Sequence, residues 1–176
     1  MATRAVTVDV AFEERYWYPD DGSILWIAGY QPVDADSGRF LAGDDPSLSD
    51  RGLRVASVAG AGAHHADVLD DDAFAPGRRL VLRREPDNAH DPNAISVRDA
   101  AGDRQAGWVP RELAAILAPA IDAGDPYSAI VLRERRADPR SPRTGLTMLL
   151  VSAPAIELRV VPVSRSRSSG GPRGAR

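Results

Sequence analysis

In the stretch AVTVDVAF (5–12), Val6, Val8 and Val10 alternate with small or polar residues, the period-two pattern of a half-buried strand. SILWIAGY (23–30) is a short apolar run behind the turn PDDG (19–22) and reads as a second strand. Residues 33–52 turn to Asp, Ser, Gly and Pro, which predicts a loop or linker. A second series opens with LRVASVAG (53–60), again alternating, followed by an acidic loop over 63–77 that Pro76-Gly77 closes. RRLVLRRE (78–85), AISVRD (94–99) and RQAGWV (104–109) predict three further strands, the last two joined by the turn AAGD. Pro110 opens a helix at a first-turn position, where its missing N–H removes no bond, and Leu113, Ile116 and Leu117 form one apolar face. Pro119 is expected to break that helix, and Gly124 to end the second piece. YSAIVLRE (127–134), LTMLLVS (146–152) and ELRVVPV (157–163) complete the strands around a loop at 137–145.

The fold class that follows is mostly β (α+β): a small antiparallel barrel with one broken helix, plus an N-terminal extension that contains strands. The expected divisions are an acidic extension over 1–52, a domain over 53–163 and a disordered basic tail over 164–176, where SRSRSSGGPRGAR offers no large apolar side chain to bury.

Composition adds a buried core, since 43% hydrophobic and 27% charged residues over 176 positions are ordinary for a globular chain. No run of about 18 apolar residues occurs, so no membrane span is expected. The first residues carry acids and no apolar segment, unlike a secretory signal. The absence of cysteine excludes disulfides and thiolate metal sites and fits a cytoplasmic location. The net charge of −3 conceals an asymmetry: residues 1–75 balance to −9, residues 76–145 to +2 and residues 146–176 to +4. The second half therefore suits a polyanionic partner. Every basic residue is Arg, which a high-GC genome explains as readily as selection for bidentate phosphate contacts.

The most informative stretch is LRREPDNAHDPNAISV (82–97), which is too long for a hairpin turn and packed with short polar side chains. With AGWVPRELAAILAPAIDAG downstream and VAGAGAHH (58–65) upstream, it resembles the HIRAN domain, over about residues 54–151. The resemblance implies an OB-like barrel, so the expectation is a small antiparallel OB-like β-barrel that holds the 3′ end of single-stranded DNA. It also implies the site residues. Asp91 offers a carboxylate that accepts hydrogen bonds and donates none, suited to a sugar 3′-hydroxyl and hostile to a terminal phosphate. Asn88 supplies a donor and an acceptor. Arg111, at the start of the helix, matches a residue that contacts the DNA backbone, where exposed N–H groups assist. Trp108 is a stacking or a core residue, His90 flanks Asp91, and Arg84 lies on a flanking strand. Asp87 and Asn93 read as loop braces, because Asx side chains bond the backbone two residues on.

The chain departs from the family's pattern upstream. Ala63 stands where an aromatic is often found and Gly62 where a basic residue is frequent, leaving His64 and His65 as the stacking candidates. Leu146 falls near where the family can place a Phe. These departures weaken the grip expected on the last nucleotides.

Three functions compete. The first is a non-catalytic module that binds single-stranded DNA, at its 3′-hydroxyl end, in repair or replication-fork processing beside a repair or helicase-type protein. The second is a protein-interaction module that kept the fold and lost DNA binding. The third is a metal-dependent nuclease built on His64, His65, Asp67, the Asp70–Asp72 run, His90 and Asp91, although the spacing matches no standard motif. No GxxxxGK[ST] or GxSxG stretch is present, and no cofactor, metal or catalytic residue is expected. The Arg-rich segment RERRADPRSPR (133–143) either tracks a phosphate backbone or solubilises a loop.

Overall fold

A computed structural model describes residues 4–163; the expected basic tail lies outside them. The elements are β1 (Val6–Trp17), β2 (Leu25–Asp34), β3 (Arg39–Phe40), α1 (Pro46–Ser49), β4 (Leu53–Ser57), α2 (Ala61–His64), α3 (Ala66–Leu69), a 3-10 turn (Asp72–Phe74), β5 (Arg79–Arg84), β6 (Ile95–Asp99), β7 (Gln105–Trp108), α4 (Arg111–Asp122), β8 (Ser128–Arg136), β9 (Arg143–Val151) and β10 (Ile156–Val160). The mostly β class expected from the sequence is what forms, but the sheet does not close into a barrel. Its order is β10-β1-β2-β8-β5-β6-β7, with β9 paired to β8 and β4 to β9. An isolated bridge, Ala59 with Trp108, links β7 to the residues after β4.

Two expectations are corrected by the backbone. The sheet is not antiparallel throughout: β1 lies parallel to β10, Val6 opposite Ile156 and Val10 opposite Val160. Strands so far apart in sequence have ample chain for the crossover that parallel pairing needs. The helix is not broken either, because α4 runs through Pro119. One proline removes one backbone bond, whereas Ala114, Leu117 and Ala118 before it and Ile121 after it all pack on the same core. Packing on both sides of the proline outweighs the lost bond. Gly124 ends the helix at φ +93°, as its position suggested.

Residues 33–52 do not behave as a linker. Leu41 and Leu48 are buried in one core with Val8, Val10, Leu53, Leu132 and Leu149. Asp45 caps α1 by accepting from Ser47 N at 3.0 Å, and Pro46 follows it, so a single helical turn delivers Leu48 inward. The acidic stretch after β4 is likewise helical turns that bury Leu69 and Phe74 in a second core beneath α4. Isolated apolar residues in polar company give no periodic signal, so composition alone misread both segments.

Arg143 and Glu134 are buried and paired with each other, and Arg143 Nη1 also donates to Leu69 O (3.0 Å) and Asp71 O (2.8 Å). Arg136 grips the same carboxylate through Nε at 3.1 Å. Two of the arginines in 133–143 are thus internal fasteners.

Leu48 is 1% exposed. Leu48→Ala is expected to lower the unfolding free energy by about 2–5 kcal/mol, read by urea denaturation of the whole chain. An unchanged midpoint would return residues 33–52 to linker status.

Candidate nucleic-acid interface

Residues 85–94 join β5 to β6 and brace themselves. Glu85 N donates to Ala94 O (2.9 Å), Asn88 N to Glu85 O (3.0 Å) and Ala94 N to Asp91 O (3.0 Å). Asn88 Oδ1 accepts from the N–H groups of His90 (2.9 Å) and Asp91 (3.2 Å). Asp91 Oδ1 accepts from Asn93 N at 2.9 Å, an Asx turn that tightens the return to β6. Glu85 is the anchor. Its Oε2 accepts from Asn88 Nδ2 (3.0 Å) and from Trp108 Nε1 (3.1 Å), tying the loop to β7. Burial opposes its charge, but hydrogen bonds from Asn88, Trp108 and Ser96 and the charge of Arg98 prevail and hold its carboxyl below the ordinary value.

Between this loop, α2 and the start of α4 lies an open groove of about 480 Å³. Ala59, Ala94, Trp108 and Val109 supply its apolar surface, and His64, His65, Asn88, His90, Asp91 and Arg111 its polar groups. Trp108 is half-buried, flanked by His65 (ring centroids 5.2 Å) and His64 (6.1 Å, edge-on). Arg111 is the first residue of α4, whose N-cap, Pro110, supplies no side-chain bond, so first-turn N–H groups remain open at this end. Its side chain is 80% exposed, with Nε 3.8 Å from Asp91 Oδ2; the Asp91 side chain is 17% exposed. One oxygen of Asp91 is therefore committed to its own loop, and the other faces the Arg111 guanidinium.

Seven of the eight residues singled out from the sequence line this groove: His64, His65, Asn88, His90, Asp91, Trp108 and Arg111. Arg84 does not. Its guanidinium donates to Asp122 (2.9 Å from Nε), Ala94 O (2.8 Å) and Pro92 O (3.0 Å), so it clamps the loop to the end of α4 from behind. The Asn88 amide is engaged on both ends, as a brace of the kind expected for Asp87 and Asn93. Glu85 was overlooked. Its acid stood in view three residues before Asn88, but its bond to Trp108 crosses from the loop after β5 to β7 and has no local signal.

The upstream departures acquire physical reasons. A Cβ on Gly62 would sit 2.5 Å from Thr144 O, so no basic side chain fits without moving α2 off β9. Leu146 is fully buried among the core residues and offers no stacking surface. His65 packs against Trp108, while His64 is exposed. Among the described residues, no group of three or more His, Asp or Glu is placed to hold a metal ion. No described helix is long and apolar enough to cross a membrane.

Residues 53–151 match the family model of the HIRAN domain. Among solved structures, the HIRAN domain of human HLTF aligns at 24% identity with a TM-score of 0.42, covering 57% of this chain and 77% of that one. No curated protein matches.

His65 Nε2 is buried and finds no hydrogen-bond partner among the described residues. Burial, helped by the neighbouring His64 charge, pulls its pKa below the ordinary histidine value of 6.5. A base with a lowered folded value binds its proton more readily in the unfolded chain, so this contribution to stability is lost as pH falls below about 6.5. The thermal midpoint is expected to drop between about pH 7.5 and pH 5.5. His65→Phe, which keeps a ring against Trp108 and cannot titrate, should flatten that drop; an identical drop would show that His65 does not set it.

Proposed function

We propose, from the premise that this chain belongs to the HIRAN domain family over residues 53–151, that its groove receives the 3′-hydroxyl end of a single DNA strand. Family membership supports a DNA-binding module; the finer reading is carried by one observation, the half-committed carboxylate of Asp91. Its Oδ1 is held by Asn93 N, which fixes the direction of Oδ2, and Oδ2 borders the groove beside Arg111. An O3′–H donates to such an oxygen, whereas a terminal phosphate is repelled by it. Arg111 and the open first turn of α4 suit the preceding phosphate, and the exposed indole face of Trp108, with His64, suits the last base. Glu85 keeps the indole and the loop in register. The module is non-catalytic in this reading and positions a strand end for a repair or replication-fork activity carried by another protein.

A specific observation favours a second reading on a different face. Phe12 and Tyr16 project from one side of β1, 51% and 44% exposed, a surface suited to docking a partner such as a repair or helicase-type protein.

Fluorescence anisotropy with strands ending in 3′-hydroxyl or 3′-phosphate tests the end reading. The wild-type chain should prefer the hydroxyl by about tenfold or more, the scale of one hydrogen bond to a charged group. Asp91→Asn should abolish the preference. Equal affinity of the wild type for both ends removes the end-cap. Trp108→Ala is expected to weaken binding to both by about 1–3 kcal/mol.

A further inference from the structure

A second groove, of about 390 Å³, lies on the sheet where the N-terminal strands meet the matched family region, and none of the functions above uses it. Strand register builds it. Arg133 sits opposite Thr147 on β9 and opposite Gly29 on β2, and Glu13 on β1 is opposite Gly29 in turn; Ser57 on β4 completes this rung beyond Thr147. The next rung runs Gly145, Arg135, Ile27, Arg15. Directly opposed residues share a face, so Arg15, Arg133 and Arg135 emerge on one surface. Trp17, 41% exposed, stands at its end.

The arginines reach this face through a register shift. Between Val131 and Arg133 β8 advances two residues while β9 moves only from Met148 to Thr147. Such a bulge re-aims every later side chain. Arg133 and Arg135 turn into the groove, and Glu134 and Arg136 turn to the buried network with Arg143. Gly29 and Gly145 keep the floor low: a Cβ at Gly29 would strike the Leu132 carbonyl, and one at Gly145 would strike the Arg135 guanidinium.

The charge here is only partly compensated. Among the described residues, Glu13 is the only acid lining the groove, and it pairs with Arg15 at 3.1 Å. Arg133 donates to Tyr30 O at 3.2 Å, and neither it nor Arg135 has a carboxylate partner among the described residues. Burial and repulsion from Arg15 lower the Arg133 pKa, although the Glu13 carboxylate opposes them. Guanidinium forks beside an exposed indole are the combination that tracks phosphates while stacking bases. The two grooves are also neighbours along the chain, since Ser57 lines this one and Ala59 the end groove.

We propose that this face, made jointly by β1, β2, β4, β8 and β9, is a second phosphodiester-binding surface that holds a single nucleic-acid strand where it leaves the end groove. The direction of travel rests on the end-groove reading; the chemistry of the second surface does not.

The test is anisotropy of the full chain with 3′-hydroxyl strands of about four and about sixteen nucleotides, the range of sites on a single OB-like module. Arg15→Ser/Arg135→Ser should leave the short strand bound as by wild type and weaken the long strand about tenfold or more. The slope of log affinity against log salt for the long strand should fall by about 1.4, two phosphate contacts at about 0.7 each. Arg15→Lys/Arg135→Lys, which retains the charges, should recover most of the long-strand affinity and so separates contact from misfolding. Asp91→Asn should affect both lengths alike. Arginine variants that alter neither strand, or both equally, overturn the second surface. Long-strand binding that needs the arginines but ignores the 3′ terminus would overturn the end-cap and leave this surface standing; a wild-type chain that binds neither strand removes both.

Discussion

Strand β8 is hydrogen-bonded along both edges and has three partners. Its first half pairs with β5, its second half with β2, and β9 follows the opposite edge. That division joins the N-terminal ribbon to the rest of the sheet, because among the described residues β2 pairs with β1, β3 and β8, and of these β8 alone continues to β5 and β9. A central strand must be apolar on both faces where it is covered, which accounts for the run AIVL, 129–132, buried on both sides. Beyond Leu132 the cover ends and the residues become charged. The bulge at that point decides which charges go inward.

The buried side of the decision is a stapled ion network and the open side is a cationic surface. Glu134 between Arg136 and Arg143 is an arrangement in which each charge is desolvated and each has a partner, so removing one would strand the others. Arg133 and Arg135 lie one residue away and lack such partners among the described residues. The end groove shows the same economy of design in carboxylates. Glu85 is fully engaged and serves as scaffold; Asp91 is half engaged and keeps one oxygen at the groove. Two acids six residues apart take different roles because only one of them faces an indole N–H.

Much of the fold was legible from the chain. The alternations in 5–12, 53–60 and 78–85 report half-buried strands, and Pro110 and Gly124 bracket α4, since these are local signals read over a few residues. The end groove was legible as well, because the loop's Asx residues and the arginine after GWVP sit at recognisable positions. The internal hydrogen bonds of Arg84 and Asn88 were not legible, for one reason. A polar side chain's role depends on whether its hydrogen bonds are already satisfied, and Asp122, Glu85 and the loop carbonyls that satisfy them come from other elements or from a folded turn. The segments around Leu48 and Phe74 were misread because a lone apolar residue carries no period.

By itself, then, the sequence determined most of the strand segments, where the long helix starts and stops, and that an unusually polar loop lies between β5 and β6. Those properties arise from backbone propensity and from side-chain patterns within a turn or two. Only the tertiary structure decided that β1 runs parallel to β10, that Glu85 reaches Trp108, and that the arginines of one short segment divide between core and surface. These depend on strand register, where a shift of a single residue sends every later side chain to the opposite face.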